Sequence, residues 1–138
     1  MGGFGMKRWM MAAGLAVAAA GCATAAQAED LAALAKGAYA YDFLKKPAVS
    51  KALKAVLPAG DYQTMMDYAK NGVSIPGEEH GGIVTAGVCK AHDCAANRVD
   101  LAFDHKGHVA VAVTSYSLYG DATLLIPQAS PFADPATP

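Results

Sequence analysis

The chain has little of what chemistry usually rests on. Only 17% of its 138 residues are charged, with 11 Lys or Arg against 12 Asp or Glu. No basic patch is available to neutralise phosphates, which argues against nucleic acid as a partner. No Ser/His/Asp arrangement, no phosphate-cradling Gly loop and no acid pair for general acid–base work can be assembled from the sequence. That argues against an enzyme and against any cofactor. The three cysteines include no C-x-x-C at the start of a helix, the arrangement thiol oxidoreductases use. There is no internal repeat. The main apolar run, "WMMAAGLAVAAAG", is too short to read as a membrane span.

That run has a different explanation. Lys7 and Arg8 precede it, and "ATAAQA" follows with Ala26 and Ala28 as the small residues a signal peptidase requires. Residues 1–28 therefore read as a secretory signal peptide, with the mature chain starting near Glu29 in the periplasm. Cys22, in "AAGC", offers a weak lipoprotein signal, because a bulkier apolar residue normally stands where Ala19 is. Membrane attachment would follow only from lipidation of Cys22, and a soluble product is favoured. About 110 residues remain, enough for one small domain. Without Lys7 and Arg8, nine basic residues face twelve acidic ones, a net charge of about −3 that suits a basic protein partner.

Along the mature chain, "EDLAALAKG" reads as a short helix stopped by Gly37. In "KKPAVSKALKAVLPAG", Pro47 sits where a first helical residue would, with Val49, Leu53, Val56 and Leu57 on one face. Asp61 is expected to cap a further turn or two before Asn71-Gly72, and the Met65-Met66 pair to pack in the core. The remainder is β-rich: "GGIVTAGVC", "NRVDLAF", "HVAVAVTSYS" and "ATLLI". Val99, Leu101 and Phe103 alternate with Arg98, Asp100 and Ala102, and Val109, Val111 and Val113 with Ala110 and Ala112. Period-two alternation with short connections such as "DHKG" predicts an antiparallel meander, hence an α+β fold. Glu78, Glu79 and His80 are expected in a solvated connection, His105 and His108 beside a turn, and Tyr116 and Tyr119 at a strand end. The Pro-rich end, residues 128–138, is expected to be disordered.

The polar chemistry concentrates in "CKAHDC", residues 89–94. The mature chain keeps two cysteines, and in an oxidising compartment an even pair reads first as a disulfide. A staple across a hairpin tip would hold Lys90, Ala91, His92 and Asp93 in few conformations, lowering the ordering cost of binding a partner. As a metal site, Cys89, His92 and Cys94 with a further histidine (His80, His105 or His108) match no standard zinc spacing. As a redox pair, C-x4-C at a strand end lacks the usual context. The residues alone thus favour an exported binding module with a stapled loop, with thiol-redox and metal-binding proteins as alternatives from another class.

"CKAHDC" closely resembles the CKPHDC signature of the inhibitor of vertebrate lysozyme (Ivy) family of periplasmic proteins. "EDLAALAKG" and "CKAHDCAANRVDLAF" are also similar to that family's N-terminal segment and its loop-plus-strand. The resemblance spans roughly residues 29–126, within a domain taken as 29–127. It implies α/β/α-like layers around a meandering antiparallel sheet, often in a dimer. It also implies that a disulfide Cys89–Cys94 frames an inhibitory loop whose histidine, here His92, enters the active-site cleft of c-type lysozyme. Lys90, Ala91 and Asp93 are its loop neighbours. Lytic transglycosylases of the cell itself, which cut the same glycan, are the related alternative target. Two departures stand out: Ala91 replaces the family's proline, and the chain is short after "ATLLIP", leaving the third layer thin.

Overall fold

The structure, a computed structural model, describes residues 29–114 and 117–125. The expected signal peptide, Cys22, Tyr116 and the Pro-rich tail lie outside the described residues. Helices come first: α1 (Leu31–Ala35), α2 (Ala40–Phe43), α3 (Pro47–Val56) and α4 (Ala59–Asn71). Five strands follow, β1 (Val73–His80), β2 (Ile83–Cys89), β3 (Arg98–Asp104), β4 (Val109–Val113) and β5 (Ser117–Gly120), then a 3-10 turn, Ala122–Leu124. The sheet order is β1-β2-β3-β4-β5, antiparallel throughout. This is the α+β meander that the alternation predicts.

Local chemistry explains the helices. Asp30 caps α1, its carboxylate accepting from the backbone N–H of Ala33 at 3.0 Å. Pro47 occupies the first turn of α3, where a missing N–H costs nothing. Val49 and Leu53 are buried on its inner face, and Val56 is half-buried. One expectation fails: Asp61 is not a cap. The chain enters α4 from Pro58, and Asp61 instead accepts a 2.7 Å hydrogen bond from the Tyr119 hydroxyl, tying α4 to β5.

The helices pack on one face of the sheet. Val84, Ala86, Val88, Val99, Leu101, Phe103, Val109 and Val111 meet Leu31, Ala35, Phe43, Val49, Leu53 and Met65 in one continuous core. Phe43 and Phe103 make an edge-to-face pair with centroids 5.7 Å apart. On the opposite face Leu124 packs on Ala102 and Ala110, flanked by Ile83 and Leu125. Within "ATLLI", Ala122–Leu124 therefore form a short 3-10 turn that folds onto the back of the sheet, not the expected strand. Among the described residues, nothing larger covers that face.

A third correction concerns Glu78, Glu79 and His80. They belong to β1, which runs from Val73 to His80 with an irregularity between Ile75 and Glu78. Pro76 and Gly77 hide the strand, yet Pro76 suits an edge position, where its missing donor does no harm, and Gly77 suits a close backbone approach. The 36–38 segment seals this edge: Gly37 N–H donates to the Gly77 carbonyl at 2.8 Å, and Gly77 N–H to the Ala38 carbonyl at 3.0 Å. A Cβ on Gly77 would collide with the Ala35 carbonyl, so only glycine permits the approach.

Candidate functional site

The β2–β3 connection leaves the sheet at the Cys89–Arg98 pair and carries "KAHDCAAN" beyond it. It is built from two turns. In the first, Asp93 N–H donates to the Lys90 carbonyl at 3.1 Å. His92 has φ 65°, whereas Ala91 is not among the non-glycine residues with positive φ. An i→i+3 bond with the left-handed conformation only at the third position defines a type II turn. The second is a single helical turn in which Asn97 N–H donates to the Asp93 carbonyl at 2.9 Å. Lys90 N–H then donates to the Asn97 carbonyl at 2.9 Å, closing the loop.

Cys89 and Cys94 are joined in a disulfide with Cα atoms 5.0 Å apart, a separation ordinary for such bonds. The bridge does not join facing strand residues, as a simple hairpin staple would. Cys89 pairs with Arg98 in the ladder, and Cys94 lies within the helical turn. The bond thus ties mid-loop to strand end, directly behind His92. Cys89 is fully buried at a strand terminus, unlike the accessible low-pKa thiols of oxidoreductases. Among the described residues, no group of three His, Cys, Asp or Glu could hold a metal ion.

Lys90, Ala91 and His92 are exposed, while Asp93 and Cys94 are half-buried. A histidine held in the left-handed region is uncommon, and the strain costs roughly 1–2 kcal/mol. Such outliers persist only where the surrounding structure over-determines them. Here two turns and a disulfide do so. Among the described residues the other left-handed non-glycine residue, Thr114 at φ 53°, lies at the same end of the sheet and donates its N–H to the Arg98 carbonyl at 2.8 Å. The C-terminus of α4 supports the loop base, where a Cβ on Gly72 would run into the Cys89 carbonyl.

The remaining histidines sit at the opposite end of the sheet. His105 bridges two carboxylates, with Nδ1 2.9 Å from Asp30 and Nε2 2.6 Å from Glu79. Lys36 Nζ reaches the other Glu79 oxygen at 2.8 Å. Glu79 and then Asp30, as hydrogen-bond acceptors, raise the His105 pKa above its ordinary 6.5. Lys36 and then His105 draw Glu79 down to about 2. Asp30 is lowered by the Ala33 N–H and then by His105. His108 pairs with Asp104 at 2.7 Å across the β3–β4 turn, and His80 with Glu78 at 3.3 Å. None of these groups approaches the loop.

Sequence reasoning located the loop residues but missed Asn97, Gly72 and the Asp30–His105–Glu79 cluster. Asn97 stands four residues after Asp93, a spacing that could have flagged one helical turn. The cluster joins residues 75 and 26 positions apart and left no local signal.

Fold and site together place an exposed histidine on a loop closed by a disulfide at one end of the sheet. The family described as "Inhibitor of vertebrate lysozyme (Ivy)" matches residues 48–129, and the chain belongs to that family. No curated protein and no solved structure matches it significantly.

Proposed function

We propose that the chain is a periplasmic, non-catalytic inhibitor of c-type lysozyme that plugs the enzyme's cleft with the Cys89–Cys94 loop, His92 foremost. The observation that carries this reading is the placement of His92, exposed at the turn tip with a left-handed backbone, in a chain of a lysozyme-inhibitor family. Enzymes of this type cleave glycans with two carboxyl groups flanking the scissile bond. A protonated imidazole carries charge of the opposite sign and donates from both nitrogens, so one ring can engage both acids. Because the loop is already ordered, little conformational entropy is lost on docking. Lys90, exposed beside the tip, suits the rim of the cleft, where a long side chain stays solvated.

The test is an inhibition panel of c-type lysozyme, g-type lysozyme and lytic transglycosylases, run with the purified mature chain. Inhibition of the c-type enzyme, strongly weakened by His92→Ala, is the expected outcome. Inhibition of transglycosylases alone would move the target to the cell's own enzymes. Undiminished inhibition by His92→Ala would end the plug mechanism.

A further inference from the structure

The loop has a second fastening besides its disulfide. Asn97 uses its backbone in both directions, accepting from Lys90 N–H and donating to the Asp93 carbonyl, each at 2.9 Å. Its side-chain amide also donates to Asp93 Oδ2 at 2.5 Å. An ionised carboxylate only accepts, so Asn97 must turn its NH2 toward Asp93. Hydrogen bonds with one charged partner are among the stronger kind. Asp93 is half-buried and its side chain faces the loop's own C-terminal limb, whereas Ala91 and His92 are exposed.

We infer that Asp93 and Asn97 form a non-covalent latch that positions His92, so that Asp93 acts on the loop and not on the target enzyme. The inference rests on reading this loop as the inhibitory element. The disulfide holds Cys94 to the end of β2. The latch holds the preceding residue to Asn97, where the chain re-enters β3. Two ties on consecutive residues, one to each limb, fix the segment immediately behind His92. Either alone would let it pivot about the other. Asn97 is on this account a positioning residue, and Asp93 is its partner rather than a contact for a basic group on the cleft rim.

The experiment combines a measurement without target and one with it. In the isolated protein, amide hydrogen exchange at Asp93 and Asn97 should quicken in Asn97→Ala while the disulfide stays intact. Against c-type lysozyme, Asn97→Ala and Asp93→Ala should each weaken inhibition by about tenfold, as loss of a hydrogen bond to a charged group allows. The double variant should be no weaker than either single one, because both break the same tie. Asp93→Asn should recover most of what Asp93→Ala loses, since its amide oxygen still accepts from Asn97 without the charge. If Asp93→Asn is as poor as Asp93→Ala while its loop exchanges like the parent's, the carboxylate meets the target directly and the inference fails. Parent-like exchange in Asn97→Ala would equally overturn it. Should the parent inhibit no glycan-cleaving enzyme, the functional reading falls, and the exchange comparison still decides the latch.

Discussion

At one end of the five-stranded sheet His92 stands exposed on a loop fixed by covalent and hydrogen bonds behind it. At the other end His105 is gripped by Asp30 and Glu79 from two other segments. The difference lies in where the ring nitrogens are spent. Both nitrogens of His105 are used inside the molecule, so that imidazole fastens α1 and β1 to the β3–β4 turn and has little left for a partner. The ring of His92 makes no hydrogen bond to any described residue, while its backbone is held in a conformation histidine rarely adopts. One histidine is consumed by the fold and the other is offered by it.

The comparison breaks most sharply on exchange of the two rings for smaller side chains. His92→Ala is expected to weaken lysozyme inhibition roughly thirtyfold, about 2 kcal/mol for a buried interface anchor, with the melting temperature unchanged. His105→Ala should do the reverse, lowering the melting temperature and leaving the inhibition constant where it was. Paired inhibition and calorimetry on the two variants checks both halves. Loss of inhibition in His105→Ala would mean that the two ends communicate.

Next in size is the staple. Replacing Cys89 and Cys94 together by Ser should weaken inhibition about tenfold, because the loop must then be ordered on binding. A ring this short adds only about 2 kcal/mol to global stability in the chain-entropy account, so the double variant should remain folded at room temperature. Circular dichroism beside the inhibition assay separates a local role from a global one.

How far these two ends were legible in the sequence follows from the range of their contacts. The loop was legible because its parts are close in sequence: cysteines five residues apart, a histidine between them, strands with period-two alternation on either side. The meander from β2 to β4 was legible for the same reason. Strand β1 was not, since Pro76 and Gly77 suppress the strand pattern at an edge that the 36–38 segment seals from outside. "ATLLI" has a strand's composition, yet Leu124 finds its apolar partners by turning onto Ala102 and Ala110. The His105 cluster depends on three segments meeting after folding, so no window of sequence contains it.

The far end also carries a pH signature. His105 is raised above 6.5, so its contribution to stability is complete below that value and is lost as pH climbs through the folded pKa. Glu79 is lowered from 4.5 to about 2 and Asp30 from 3.8, so theirs is present above those ordinary values and is lost as pH falls through the depressed ones. The clamp is therefore fully engaged between about pH 4.5 and 6.5. His105 and Asp30 are exposed, Glu79 is half-buried, and salt screens all three, so the effect is small. Melting temperatures across pH 4–9 should show a shallow decline on the alkaline side that flattens in His105→Gln. An identical profile for that variant would assign the pH dependence to other groups.

The smallest expected effect tests how tightly the loop end is already fixed. Ala91 occupies the second position of the type II turn, where φ near −60° is required and proline is common. No hydrogen bond among the described residues uses its N–H, so proline would remove no partner there. Lys90, ahead of it, lies just past the end of β2 and outside any helix, which suits a residue preceding proline. Ala91→Pro should therefore narrow the unfolded and unbound ensembles without straining the turn, a gain of about 0.4–1 kcal/mol. If the loop retains freedom despite its disulfide and the Asp93–Asn97 contact, inhibition should tighten by about two- to fivefold. If those two ties already fix it, Ala91→Pro should raise the melting temperature slightly and leave inhibition unchanged. Placing the same substitution in the Cys89→Ser/Cys94→Ser background decides between them. There the proline should restore part of the lost inhibition, because only a loosened loop has entropy left to remove.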